Sequence, residues 1–263
     1  MPSSIERWAI RLAARRGFHV SRFSTEPEIR GLIKLLSPLD TGIPLLRLGG
    51  DHDGGYVVPD DLAGIDCCFS PGVSDVADFE LSLANRGIRC FLADASVAGP
   101  PCSHPLFDFE QVFLGSRNSS KVMTLETWVS RKPAFGDLIL QMDIEGAEND
   151  VLFDTPSSLL RRFRIMVIEF HGLERLRCPD YLAYFRLLLE KVSRDFRVCH
   201  VHPNNCHRPV VIHGIEVPRI IEVSFLRKDR GTRSSPRSDF PHPLDRPNVP
   251  GLPDVVLTRD WFA

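Results

Sequence analysis

DLILQMDIEGAENDVL, residues 137–152, decides how the rest of this chain is read. Leu138 to Met142 is an apolar run of β character, short enough for a strand buried on both faces as in parallel sheets. Carboxylates then take over. Asp143 and Glu145 flank Ile144, Gly146 permits a close turn, and Ala147 to Leu152 opens a helix. A buried strand that empties into an acidic strand-to-helix turn marks the place where open α/β sheets put their ligand sites.

Working outward, Ile65 to Asp94 has the pattern of a βαβ unit. Cys67-Cys68-Phe69 is a strand, Ser70 to Ser74 a turn, Asp75 to Asn85 a helix, and Arg89 to Ala93 a second strand ending in Asp94. A glycine turn followed some 20 residues later by an acid is the nucleoside-binding arrangement, here with one glycine, Gly72. Phe109 to Leu114 reads as a third strand and Leu125 to Ser130 as a short helix. Ile165 to Phe170 is a buried strand leading into His171, Pro179 to Arg194 a helix, Phe196 to Val201 a strand running into His202, and Arg219 to Leu226 a last strand. Alternating strands and helices that finish in a strand hairpin predict one mostly parallel sheet with an antiparallel member near an edge. Ile5 to Arg16 and Glu28 to Leu36 are helical by spacing and read as a cover over the core. Asp51, His52 and Asp53 sit between two Gly-Gly pairs, in a loop that closes over a site or simply turns in solvent.

With 263 residues, 43% hydrophobic and 25% charged, the composition is that of a globular protein with a sizeable core. The formal charge of -2 argues against a nucleic-acid-coating surface. No window reaches the ~18 apolar residues of a membrane span, and arginines break every apolar run near the start, which therefore lacks a secretory signal's core. Seven scattered cysteines without a CxxC pair suit the reducing cytoplasm.

LGGDHDGGYVVPDDL, FSPGVSDVADFE, FLADAS, FEQVFLG, LQMDIEGAENDVL, VIEFHGL, HVHPNN and LDRPNVPGLPD, in that order from about Leu48 to Asp254, together resemble the FkbM-type branch of class I S-adenosylmethionine-dependent methyltransferases. The resemblance implies a Rossmann-like α/β domain with a seven-stranded sheet of order 3-2-1-4-5-7-6, residues 48–226, preceded by a helical cover (1–47) and followed by a Pro/Arg-rich arm (227–263). It also implies methylation of a hydroxyl on a sugar, glycan or natural product. Ser70, Gly72 and Ser74 fall on the glycine turn along which the methionine end of S-adenosylmethionine lies. Asp94 falls on the position that holds the ribose hydroxyls, and Asp143 to Glu148 on the turn beside the sulfonium. Ser70 departs from the aspartate many relatives carry, so Asp143 or Glu80 takes over the contact with the methionine ammonium.

Methyl transfer to a hydroxyl requires an aligned acceptor and a base. The base candidates stand at strand ends: Asp143 and Glu145, Glu169 and His171, and His202. Residues two apart share a face of a strand, and neighbouring strands ~4.8 Å apart bring the first four together. His171 is the first choice because imidazole titrates near neutrality; its bland alternative is a cap on the strand end, and that of Asp143 an N-cap. Asp143, Glu169 and His171 also form a hard donor set suited to Mg²⁺ or Mn²⁺. Two other readings remain open: a methyltransferase-like binding module without catalysis, and a nicotinamide-dependent oxidoreductase, which needs a richer glycine turn.

Overall fold

The computed structural model describes residues 4–18, 22–237 and 239–262, so the remaining positions of the cover and arm lie outside the described residues. Seven strands form the main sheet: β1 (Ile65–Pro71), β2 (Arg89–Ala93), β3 (Phe107–Glu110), β4 (Asp137–Met142), β5 (Phe163–His171), β6 (Phe196–Pro203) and β7 (Ile220–Arg227). Their spatial order is β3-β2-β1-β4-β5-β7-β6. β7 is antiparallel to both neighbours, and every other pairing is parallel. A mostly parallel sheet with one reversed strand near an edge is what the strand and helix pattern predicts, and this Rossmann-like order is the one the resemblance implies.

The period-2 pattern of β4 shows why the sheet is buried on both sides. Leu138, Leu140 and Met142 join the larger core, while Ile139 joins the smaller. The larger core is packed by α2 (Glu26–Ile33), α4 (Leu125–Arg131), α5 (Glu148–Asp154) and α6 (Pro179–Ser193). Phe69 of β1 anchors it, edge-on to Trp128 with ring centroids 5.0 Å apart. Burying one such aromatic contributes roughly 2–3 kcal/mol. The other face carries α3 (Asp78–Ala84) and a hairpin of Leu45–Leu48 with Tyr56–Pro59.

Local signals set the starts of α2 and α4. Glu28 accepts from Thr25 N at 2.6 Å and Thr25 Oγ1 at 2.7 Å at the head of α2, and Thr124 Oγ1 accepts from Thr127 N at 3.2 Å at the head of α4. Two expectations change. The third strand ends at Glu110, and Phe113–Leu114 pairs separately with Val122–Met123, because Val112 N turns back to Glu110 O. The cover is α2 alone, through Ile29, Leu32 and Ile33, whereas α1 (Ser4–Arg15) leaves most of its side chains in solvent.

Candidate functional site

The carboxyl ends of β1, β2 and β4 enclose a cleft of about 560 Å³, a usual size for a small-molecule site. β1 ends in a sharp turn at Gly72, φ 88°, whose N–H donates to Ala93 O at 2.9 Å. A Cβ at Gly72 would lie 1.5 Å from the carbonyl oxygen of Asp143, so only glycine lets the two turns meet. Ser74 follows with φ 47° and donates its N–H to Asp94 Oδ2 at 2.9 Å. Ser96 donates its N–H and Oγ to Asp94 Oδ1 at 2.7 and 2.6 Å. Oδ2 therefore keeps a free lone pair, and rotation of the Ser96 hydroxyl frees one on Oδ1. Asp94 can thus accept a pair of ligand hydroxyls.

Gly72, Ser74, Glu80, Asp94 and Asp143, predicted as cofactor contacts, all line this cleft. Ser70 does not. It is fully buried, bonding to Glu80 Oε1 and, at 2.7 Å, Gln141 Oε1. One hydroxyl hydrogen cannot serve two acceptors. Burial pushes Glu80 up to about 7 against the pull of the Ser70 bond, and a proton on Glu80 would let Ser70 Oγ accept there and donate to Gln141. Gln141 Nε2 donates to Tyr56 OH at 3.1 Å. Ser70 therefore holds the cleft wall from behind, and Tyr56 and Gln141 line it.

Beside the cleft, the turn after β4 runs through Glu145, φ 57°, and Gly146, φ 102°. Glu148, fully buried, ties it down: Oε1 accepts from Ile144 N and Gly146 N, each at 3.0 Å. The same oxygen lies 3.2 Å from His171 Nδ1 and fixes the ring. His171 Nε2 then faces Glu145 Oε2 at 3.6 Å, Asp143 Oδ1 at 3.8 Å and Glu169 Oε1 at 3.9 Å. The four predicted side chains meet, although Asp143 and Glu145 reach His171 through a turn rather than an extended strand. Asp143 does not cap α5, whose N-cap is Ala147.

Electrostatics follow from burying acids together. Burial drives Asp143 up to about 7 despite the opposing pull of His171, and drives Glu169 well above the carboxylate range, with Asp143 adding to the effect. For His171, burial works downward but the Glu148 bond and surrounding carboxylates outweigh it, raising the imidazole. Asp143, Glu145 and His171 offer ligand atoms within 4.8 Å of one another. Asp143 Oδ1 and Glu169 Oε2 are buried without a hydrogen-bond partner. A hard divalent cation fits this donor set, with Glu145 closer in than the predicted Glu169.

His202 lies elsewhere. With β7 inserted between β5 and β6, its Nδ1 sits 3.5 Å from Glu222 Oε2 and its Nε2 3.4 Å from Asp254 Oδ2, and it does not line the cleft. This correction gives it to the arm, which is further held by Asn205 to Val249 N at 2.8 Å and Asn248 to Glu222 at 2.6 Å. Burial would lower the His202 pKa, but Asp254 and Glu222 raise it to about 10. A folded value above the unfolded ~6.5 adds stability that is complete below about pH 6.5 and fades as pH rises toward 10. Unfolding free energies from denaturant titration of wild type and His202→Gln should therefore differ by a few kcal/mol at pH 6 and converge by pH 10.5; a gap that stays constant with pH disproves the linkage.

Glu148 was placed in the turn beside the sulfonium, but its part in tying that turn and His171, and the Tyr56–Gln141 wall, escaped sequence reasoning. An acid on the first helical turn after a DxE segment was the one available sign of Glu148.

No family model matches the chain, and no curated protein matches it significantly in sequence. Among solved structures, the chain is similar to a Pyrococcus abyssi tRNA (uracil-54, C5)-methyltransferase in complex with S-adenosyl-L-homocysteine, at 12% identity and a TM-score of 0.30. The match covers 70% of this chain and 44% of that one, and at this distance it carries no function across.

Proposed function

We propose that this protein is an S-adenosylmethionine-dependent O-methyltransferase of the FkbM type, acting on a hydroxyl of a sugar, glycan or natural product. One observation carries the reading. The cleft is lined by Asp53, Asp75, Asp94 and Glu145, together with Glu80 and Asp143, whose carboxyls burial raises to about 7, and among the described residues no lysine, arginine or histidine lines it. Such a site favours a cationic ligand, as a sulfonium with an α-ammonium group is, and repels the pyrophosphate of a dinucleotide. That disfavours the oxidoreductase. The donor supplies an electrophilic methyl and leaves as a neutral thioether. Asp94 takes the ribose hydroxyls, the Gly72–Ser74 turn and Glu80 flank the methionine end, and Asp143 lies nearest the reacting centre. His171 stands just behind the lining, its Nε2 3.6 Å from Glu145 Oε2 and 3.8 Å from Asp143 Oδ1, both of which do line the cleft; the acceptor's hydroxyl proton passes to this Nε2, which Glu148 orients and which titrates with Asp143 as one unit. All seven cysteines are free thiols, in keeping with a cytoplasmic enzyme.

A second reading rests on the convergence of Asp143, Glu145 and His171. There they would hold Mg²⁺ or Mn²⁺, which would acidify a bound hydroxyl in place of a base.

Calorimetric titration with S-adenosylhomocysteine tests the assignment. Wild type should bind, and Asp94→Ala should bind roughly 10- to 100-fold more weakly, the value of hydrogen bonds to a charged group. Absence of wild-type binding refutes the proposal. Turnover of a hydroxyl acceptor panel, with and without chelator, then separates a metal-free base from a metal site; binding without turnover indicates a non-catalytic module.

A further inference from the structure

The N-terminal helix α1 is the part of the fold with the least to do. At helical spacing Ile5, Trp8, Ala9, Leu12 and Ala13 occupy an arc of about 140°, and Arg7, Arg11 and Arg15 form one i, i+4, i+8 row along its edge. In a cover helix the apolar arc would be buried. Here Ile5 is 77% exposed and Trp8 64%, and only Leu12 and Ala13 are partly covered. The helix ends at Gly17, φ 79°, with Phe18 N returning to Ala13 O at 3.0 Å. That turn leaves Phe18 67% exposed, and Phe23 is 69% exposed just beyond.

We propose that α1, with Phe18 and Phe23, is an interfacial helix that docks the protein onto an anionic lipid surface. An amphipathic helix of 12 residues is about 18 Å long, too short to span a bilayer and suited to lying in its plane. No described helix is long and apolar enough to cross a membrane. The charge selects the occupant: Arg7, Arg11, Arg15 and Arg16 stand against the single acid Glu6 in this segment, although the whole chain is slightly acidic. A row of arginines bordering an apolar arc places cations at headgroup level while the arc enters the acyl boundary, and aromatic residues favour that depth. An acidic partner protein would satisfy the arginines equally but would not require both a bare aliphatic arc and flanking aromatics.

The test needs only the full chain and a supply of vesicles. Trp8 is the reporter, because the other two tryptophans, Trp128 and Trp261, are fully buried and blind to lipid. With phosphatidylcholine vesicles containing phosphatidylserine, the protein should co-sediment and its emission should shift to the blue. With phosphatidylcholine alone, the bound fraction should fall roughly tenfold or more, since each arginine near the surface adds to the attraction. Arg7→Glu with Arg11→Glu should abolish binding, and Trp8→Ala should weaken it, while both variants keep wild-type binding of S-adenosylhomocysteine. Failure to bind phosphatidylserine vesicles overturns the proposal and points to a protein partner. Equal binding to neutral vesicles, or binding that survives charge reversal, overturns it as well.

Discussion

Replacement of His171 by asparagine is expected to lower kcat by about 10²- to 10⁴-fold, the usual contribution of a general base. Asparagine keeps a donor near Glu148 Oε1, which also holds Ile144 N and Gly146 N, so the turn after β4 should survive. Binding of S-adenosylhomocysteine and the unfolding midpoint should stay near wild type. A transition-state loss without a binding loss is the signature of a group that acts on the reacting proton. Steady-state kinetics beside calorimetry decide the matter. If the asparagine variant turns over at the wild-type rate, the proton goes elsewhere; if it fails to fold, His171 is chiefly a structural tie for Glu148.

Gly72→Ala should be the most damaging single change to the fold around the cleft. The added Cβ would sit 1.5 Å from Asp143 O, a backbone atom fixed by β4, and φ 88° is strained for any other residue. Neither turn can yield without opening the β1–β4 junction. A loss above about 4 kcal/mol is expected, with cofactor binding abolished. Gly146→Ala is the control. It too has a positive φ, 102°, but nothing lies within 4 Å of its added Cβ, so only backbone strain of ~1–3 kcal/mol applies. Denaturant midpoints for the two variants separate steric from conformational cost, and equal losses would show that the close approach is unimportant.

Much of this architecture is written locally. The apolar alternation of Leu138–Met142, the glycine turn after β1 and the acid closing β2 each produce their structure from neighbours in sequence, so strand positions and the carboxyl-end cleft follow from them. Gly72, Asp94 and Asp143 were legible for that reason. Ser70 was misplaced because motif position does not show which way a strand end points its side chain. Its partners Glu80 and Gln141 lie 10 and 71 residues away.

The sequence by itself determined where strands end in acids and imidazole, and hence at which edge of the sheet the acid-lined cleft opens. Only the tertiary structure decided their partners: Glu148 steering His171 from 23 residues away, His202 given to Asp254 from 52 residues away, and α1 left uncovered. Periodicity reports the environment that a side chain needs. Whether the fold, a ligand or a membrane supplies it depends on long-range packing, which leaves no local trace.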